Sequence, residues 1–133
     1  MIHAFDAGPL IAFLSAETGG EVTRQILRDN PGECYAHIAN LAEVYYIAWK
    51  RGGEPAAETA LQRLAAAGVI AREDSDEAFW KEAASYKGRH PMALPDGYCI
   101  ALARRLGGSV VTTDRAEFTP LIPLNYAPIV FIR

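Results

Sequence analysis

Short apolar runs alternate with helical stretches along the whole chain, and this alternation restricts the fold more than any other feature. Ile2–Phe5, Glu33–Ala36, Val69–Ala71, Ser109–Thr112 and Pro128–Ile132 read as strands, bounded by Gly, Pro, Asn or Asp. Between them the punctuation predicts helices. Pro9 suits a first helical turn, and Leu10, Ile11, Phe13 and Leu14 give that helix an apolar face. Glu21–Arg28 is a second helix, ended by Asn30-Pro31-Gly32. Asn40 reads as the N-cap of a helix running to about Arg51, closed by Gly52-Gly53. An alanine-rich helix over Pro55–Ala67 follows, and another runs from a Ser75 or Asp76 cap to about Tyr86. After a Gly88–Leu94 loop, Pro95 opens a helix through Leu106, in which Cys99, Leu102, Ala103 and Leu106 form a buried stripe. A short turn is expected around Ala116–Phe118. Strands this short and apolar, each separated from the next by helix, predict an α/β fold: a three-layer α/β/α sandwich around a mostly parallel sheet.

The 133 residues fit a single domain spanning 1–133, and with half of them hydrophobic the chain can bury a sizeable core. No apolar run is long enough to span a membrane. The N-terminal stretch MIHAFDAGPLIAFL lacks a basic region and is interrupted by Asp6, so a secretory signal is not expected and a cytoplasmic location is. Cys34 and Cys99 read as two buried thiols rather than a disulfide. The net charge of −3 does not advertise nucleic-acid binding, but a cluster of acidic metal ligands is offset once cations are bound.

In parallel sheets, ligands bind beyond the carboxyl ends of the strands. Asp6 directly follows the first strand and Asp114 the Ser109–Thr112 strand. Glu43 is expected in the first turn of the helix after the second strand, and Asp96 in the first turn of the helix before the Ser109 strand. All four can approach one end of the sheet. Each alone has a structural explanation: Asp6 and Asp114 as caps, Asn40 with Glu43 as a capping box, Asp96 as a favourable charge at a helix start. Together in one crevice they would repel one another unless a divalent cation relieved them, and hard oxygen ligands suit Mg²⁺ or Mn²⁺. Such ions lower the pKa of a bound water and stabilise charge in phosphodiester hydrolysis.

The ordered set Asp6, N40-L-A-E43, L94-P-D96-G-Y-C-I100-A-L-A103 and V110-V-T-T-D114 with Phe118 resembles a PIN domain, most of all the VapC-type toxin ribonucleases. The resemblance runs from about Ile2 to Ile132. It implies an α/β/α sandwich, dependence on Mg²⁺ or Mn²⁺, and endoribonuclease activity, usually as the toxin of a toxin–antitoxin pair with a small antitoxin partner. It assigns Asp6, Glu43, Asp96 and Asp114 to the metal and to catalysis. Asn40, Thr112 and Thr113 fall at supporting positions where such proteins often carry Ser or Thr. Ala7 stands where Ser, Thr or Asn is common, and Gly97 where Ala is more usual.

Arg115 adjoins Asp114 and either contacts a substrate phosphate or pairs with Glu117. Arg89-His90 precede Asp96 and are candidates to flank an RNA path. His3 and His37 read as hydrogen-bonded structural histidines. Tyr45, Tyr46 and Trp49 share one helix, so those not packed inward suit homodimerisation or antitoxin docking. The alternative function is a PIN-fold binding module that acts through protein partners with weak or no catalysis. An Asp-nucleophile phosphatase is disfavoured by Gly8 two residues after Asp6, a receiver domain by its missing Asp and Lys, and a nucleotide-binding fold by the lack of a GxGxxG or P-loop.

Overall fold

A computed structural model describes residues 1–133. Strands β1 (His3–Phe5), β2 (Cys34–His37), β3 (Ile70–Arg72), β4 (Ser109–Thr112) and β5 (Ile129–Phe131) form one sheet in the order β3-β2-β1-β4-β5. Every pairing is parallel, so the sheet is wholly rather than mostly so. The observed strand bounds lie within about a residue of those expected from the sequence.

The sheet is covered on both faces because its strands alternate. Ala4 and Val110 point into a core built with α4 (Glu77–Arg89) and α5 (Leu94–Leu106). Phe5 and Val111 point the other way, into a core with α1 (Ala7–Leu14), α2 (Gly20–Asp29) and α3 (Ile38–Ala66). The inner strands β1 and β4 are buried on both faces and so read as nearly continuous apolar runs, whereas the edge strands β3 and β5 stay partly exposed. Cys34 and Cys99 are free and sit in opposite cores, and burial raises both thiol pKa values.

Two local features depart from the sequence reading. Asn40 does not cap α3. The helix starts at Ile38 and its cap is His37, whose Nδ1 accepts the Ala39 amide at 3.0 Å. The Nε2 of the same ring bonds the Asp74 carbonyl at 2.8 Å, and the ring is held between Phe79 and Tyr98. Glu43 therefore lies in the second turn, not the first. The expected Gly52-Gly53 stop appears as a break in backbone angles inside α3, with Gly53 at φ 76°, where glycine is favoured. Two helical halves thus meet at this pair, and Pro55 falls in the first turn of the second half.

After β4 the chain makes a one-turn helix, α6 (Arg115–Phe118), and a 3-10 turn over Thr119–Leu124 before β5. No helix is long and apolar enough to cross a membrane.

Candidate active site

Strand order reverses between β1 and β4: the chain builds outward from β1 to β3, then returns to add β4 and β5 on the other side. The crevice at the carboxyl ends of the two strands is where such sheets bind ligands. Asp6 leaves β1 and Asp114 leaves β4, so the two flank that crevice. The N-terminal parts of α3 and α5 bring Glu43, Asn40 and Asp96 to the same end.

Asp6 is 6% exposed and fully engaged. Its Oδ1 accepts the Ala7 amide at 2.9 Å, and its Oδ2 accepts the Thr112 hydroxyl at 3.0 Å. Asn40 is fully buried, and the amide orientation that gives its nitrogen two acceptors donates to Asp6 Oδ1 at 3.1 Å and to the Pro95 carbonyl at 3.3 Å. Asn40 thereby ties α3 to both β1 and α5. The side chain at position 7 contributes no bond, since Ala7 is buried in the apolar core; Thr112 and Asn40 supply that support instead.

Asp96 is 7% exposed, and its Oδ2 accepts the Ala93 amide at 3.1 Å, half of a capping box. Asp114 caps α6 through Oδ1, which accepts the Glu117 amide at 2.9 Å. Its own amide donates to the Thr112 hydroxyl at 3.0 Å, so Thr112 links Asp6 and Asp114. The capping roles expected of Asp6 and Asp114 are thus real, Asp96 adds a capping bond to the favourable charge expected of it, and these bonds aim the carboxylates.

The electrostatics are one-sided. Burial raises the pKa of Asp6, partly opposed by its hydrogen bonds, with Asp114 adding to the rise. Burial is also the main cause for Glu43, reinforced by Asp6 and Glu117. Asp96 is pushed far above the ordinary carboxylate range by burial, then by a hydrogen bond with Glu117 and the charge of Asp6. The neighbouring charges that act on these three are all carboxylates. Glu117 is therefore a fifth member of the cluster. Its signal in the sequence was its place three residues after Asp114, on the same short helix.

The side chains meet as neighbours rather than as a finished cage: no group of three or more His, Cys, Asp or Glu residues is drawn together tightly enough to form a ready-made metal site. The donor chemistry fits a hard divalent cation, being all oxygen, partly buried and mutually repulsive. Thr113 presses its hydroxyl against Gly8, where a Cβ would come within 2.2 Å of it. Arg115 is committed elsewhere: its Nε donates to the Arg133 carbonyl at 2.8 Å, and its guanidinium lies 4.5 Å from the centre of the Phe131 ring. The expected pairing with Glu117 is not made. His90 bonds the Tyr126 hydroxyl at 3.1 Å, and His3 bonds Ser109 at 2.6 Å, a structural role for both.

Fold and site together define a parallel α/β/α protein with an acidic crevice at its switch point. The PIN domain family model matches residues 4–119, and the chain belongs to that family. Among solved structures, a Klebsiella pneumoniae toxin–antitoxin complex aligns at 18% identity over 98% of each chain, with a TM-score of 0.71. The Mycobacterium tuberculosis toxin VapC20, described as cleaving the sarcin–ricin loop, aligns at 17% identity over 90% of this chain and 95% of its own, at 0.71. The VapBC2 complex of Rickettsia felis, bound to a promoter DNA fragment, aligns at 14% identity over 98% of each chain, at 0.74. At these identities the likeness establishes the fold. No curated protein matches the chain by sequence.

Proposed function

We propose that this protein is a Mg²⁺- or Mn²⁺-dependent endoribonuclease and the toxin of a toxin–antitoxin pair. The observation that carries the reading is the cluster of carboxylates at the switch point, with Asp6 and Asp96 buried and Glu43, Asp114 and Glu117 half-buried, in which the charges acting on Asp6, Glu43 and Asp96 are those of other carboxylates. Removal of one partner from such a group relieves repulsion; binding a cation relieves it without loss of charge.

In this reading Asp6, Glu43, Asp96 and Asp114 hold the ion or ions. When bound, a divalent cation supplies an activated water and stabilises charge on the phosphate and the leaving oxygen. The protein's own part is positioning. Thr112 and Asn40 fix both oxygens of Asp6, the Ala93 amide fixes Asp96, and the α6 amide fixes Asp114. Because burial raises the pKa of Asp96, a cation held there would favour its ionised form and its binding would be accompanied by proton release.

Family membership and neighbours that are toxin–antitoxin complexes support an antitoxin partner. An open groove of about 420 Å³ between α1 and the two halves of α3 suits it. Ile11, Leu14, Val44 and Ile47 give the groove an apolar floor, and Arg51 and Arg63 stand at its rim, so an amphipathic acidic segment is the complementary occupant. A second copy of the chain is the other protein partner carried by this reading.

The test is cleavage of RNA by purified protein with Mg²⁺ or Mn²⁺ against a chelator control. Asp6→Asn and Asp114→Asn are expected to abolish cleavage while circular dichroism stays native. Equal cleavage by wild type and Asp6→Asn would overturn the assignment. Retained Mn²⁺ affinity with no cleavage would move the protein to the binding-module class.

A further inference from the structure

We propose that the exposed face of α3 beyond Glu43 is a track for an unpaired RNA segment, on which the Tyr46 ring receives a base and the Lys50 ammonium a phosphate. The inference rests on the ribonuclease reading of the crevice. Glu43, Tyr46 and Lys50 stand at i, i+3 and i+7, which places them on one face of the helix. At the usual helical rise, Lys50 is about 10 Å along the axis from Glu43. The track thus starts at the carboxylate cluster and leads away from it.

The two side chains are presented rather than used. Tyr46 is 50% exposed, and the adjacent Trp49 is 47% exposed. Tyr45, by contrast, is committed: its hydroxyl donates to Glu58 at 2.9 Å and its ring packs against Trp49. Lys50 Nζ sits 5.4 Å from the centre of the Tyr46 ring, a cation held at an aromatic face. The chain's other two lysines have acceptors, Lys81 in Glu77 and Lys87 in the Met92 carbonyl, whereas Lys50 enters no ion pair.

Charge selects the occupant. The crevice is acidic and the protein carries a net charge of −3, so a polyanion needs a local cation to approach. A cation without an ion pair, lying over one face of a half-exposed tyrosine ring, matches the alternation of phosphate and base along a single strand. A protein partner would also cover the rings; what favours RNA is that Tyr46 and Lys50 continue the line of α3 outward from Glu43, at the crevice where a phosphodiester would lie.

The experiment measures binding of a short fluorescein-labelled single-stranded RNA of mixed sequence to the full chain carrying Asp6→Asn, with Mn²⁺ present, so that binding is read without cleavage. Tyr46→Leu is expected to weaken binding by about fivefold or more, the low end of what one stacked base contributes, and Tyr46→Trp to retain it. Lys50→Ala is expected to weaken binding and to reduce the slope of log K against log salt by about 0.7, as for one phosphate contact on a single strand. Unchanged affinity in both variants overturns the track. A sizing column that instead shows Tyr46→Leu breaking an oligomer, with RNA affinity unchanged, assigns the face to a second copy and equally overturns it. If wild type cleaves no RNA and the Asp6→Asn parent binds none, the ribonuclease reading itself has failed; if the parent binds and the variants match it, only the track has.

Discussion

Thr112 and Asp6, 106 residues apart in sequence, are joined side chain to side chain by a buried 3.0 Å hydrogen bond. The Thr112 hydroxyl also accepts the Asp114 amide. One small side chain thus sets two carboxylate-bearing loops against each other. Thr112→Val keeps the volume and removes both bonds. It is expected to cost about 1–3 kcal/mol in stability through the groups left unpaired, and about 10- to 100-fold in activity or metal affinity. Thr112→Ser is expected to recover most of the activity. Thermal melts and cleavage rates on the same preparations check this, and a Thr112→Val protein of full activity would refute it.

The raised pKa values of Asp6, Glu43 and Asp96 have a definite sign. The folded state binds these protons more tightly than the unfolded chain does. Their contribution to stability is present in full below the ordinary carboxylate pKa of about 4 and is lost as pH rises through the elevated folded values. Metal-free Asp96→Asn is therefore expected to be more stable than metal-free wild type near pH 8, by more than about 1 kcal/mol, and the gap to close on acidification. Comparing the two proteins cancels His3, whose lowered pKa acts in the opposite sense as pH falls below about 6.5. Saturating Mn²⁺ is expected to reverse the order at pH 8. Denaturant titrations across the pH range measure both effects.

Gly97 lies where α5 crosses α4. A Cβ there would meet the Ala83 carbonyl oxygen at 2.2 Å, a backbone atom that cannot swing aside. Gly97→Ala is expected to destabilise the protein by about 1–3 kcal/mol. Because Asp96 is the neighbouring residue, RNA cleavage is expected to fall with it. A melt unchanged from wild type would count against so close a crossing.

Asp74 is gripped by Arg72, at 2.8 and 2.9 Å, and by Arg105 at 3.1 Å, which together hold its carboxyl well below the usual range. The stability this gives is present above the ordinary carboxylate pKa of about 4 and is lost as pH falls through the depressed folded value. Both arginines are about one-third exposed, so solvent weakens the pair, and Asp74→Asn is expected to cost about 1 kcal/mol at neutral pH. The difference between variant and wild type should shrink in acid denaturation below pH of about 4; a constant difference would sink the explanation.

The architecture was legible because the inner strands are buried on both faces and leave short apolar runs, as in Ala4-Phe5 and Val110-Val111. Asp6 and Asp114 were legible for a related reason: a carboxylate directly after a strand of a parallel sheet has little choice of where to stand. What escaped was chemistry with no common sequence signal. Histidine is not among the favoured N-caps, so the start of α3 was placed at Asn40, whose buried amide in fact reaches across to Asp6. Glu117 joins the cluster through a helix of only four residues, too short to leave a period. Arg115 looked available from its neighbour Asp114, but the Phe131 ring of β5 and the Arg133 carbonyl just beyond it take it up.

The strand order also governs when the crevice comes into being. β1 is made well before β4, yet the two are neighbours in the sheet. During synthesis the N-terminal strand can pair with β2 early, but Asp6 waits for Thr112, and the Asp114 loop does not exist until the chain has grown through it. A nascent chain emerging from the ribosome thus carries all of β1, α1 and α3 without a completed acidic pocket. The long-range pairing that slows such folding therefore also sets the moment at which the acidic pocket is completed, when β4 joins β1.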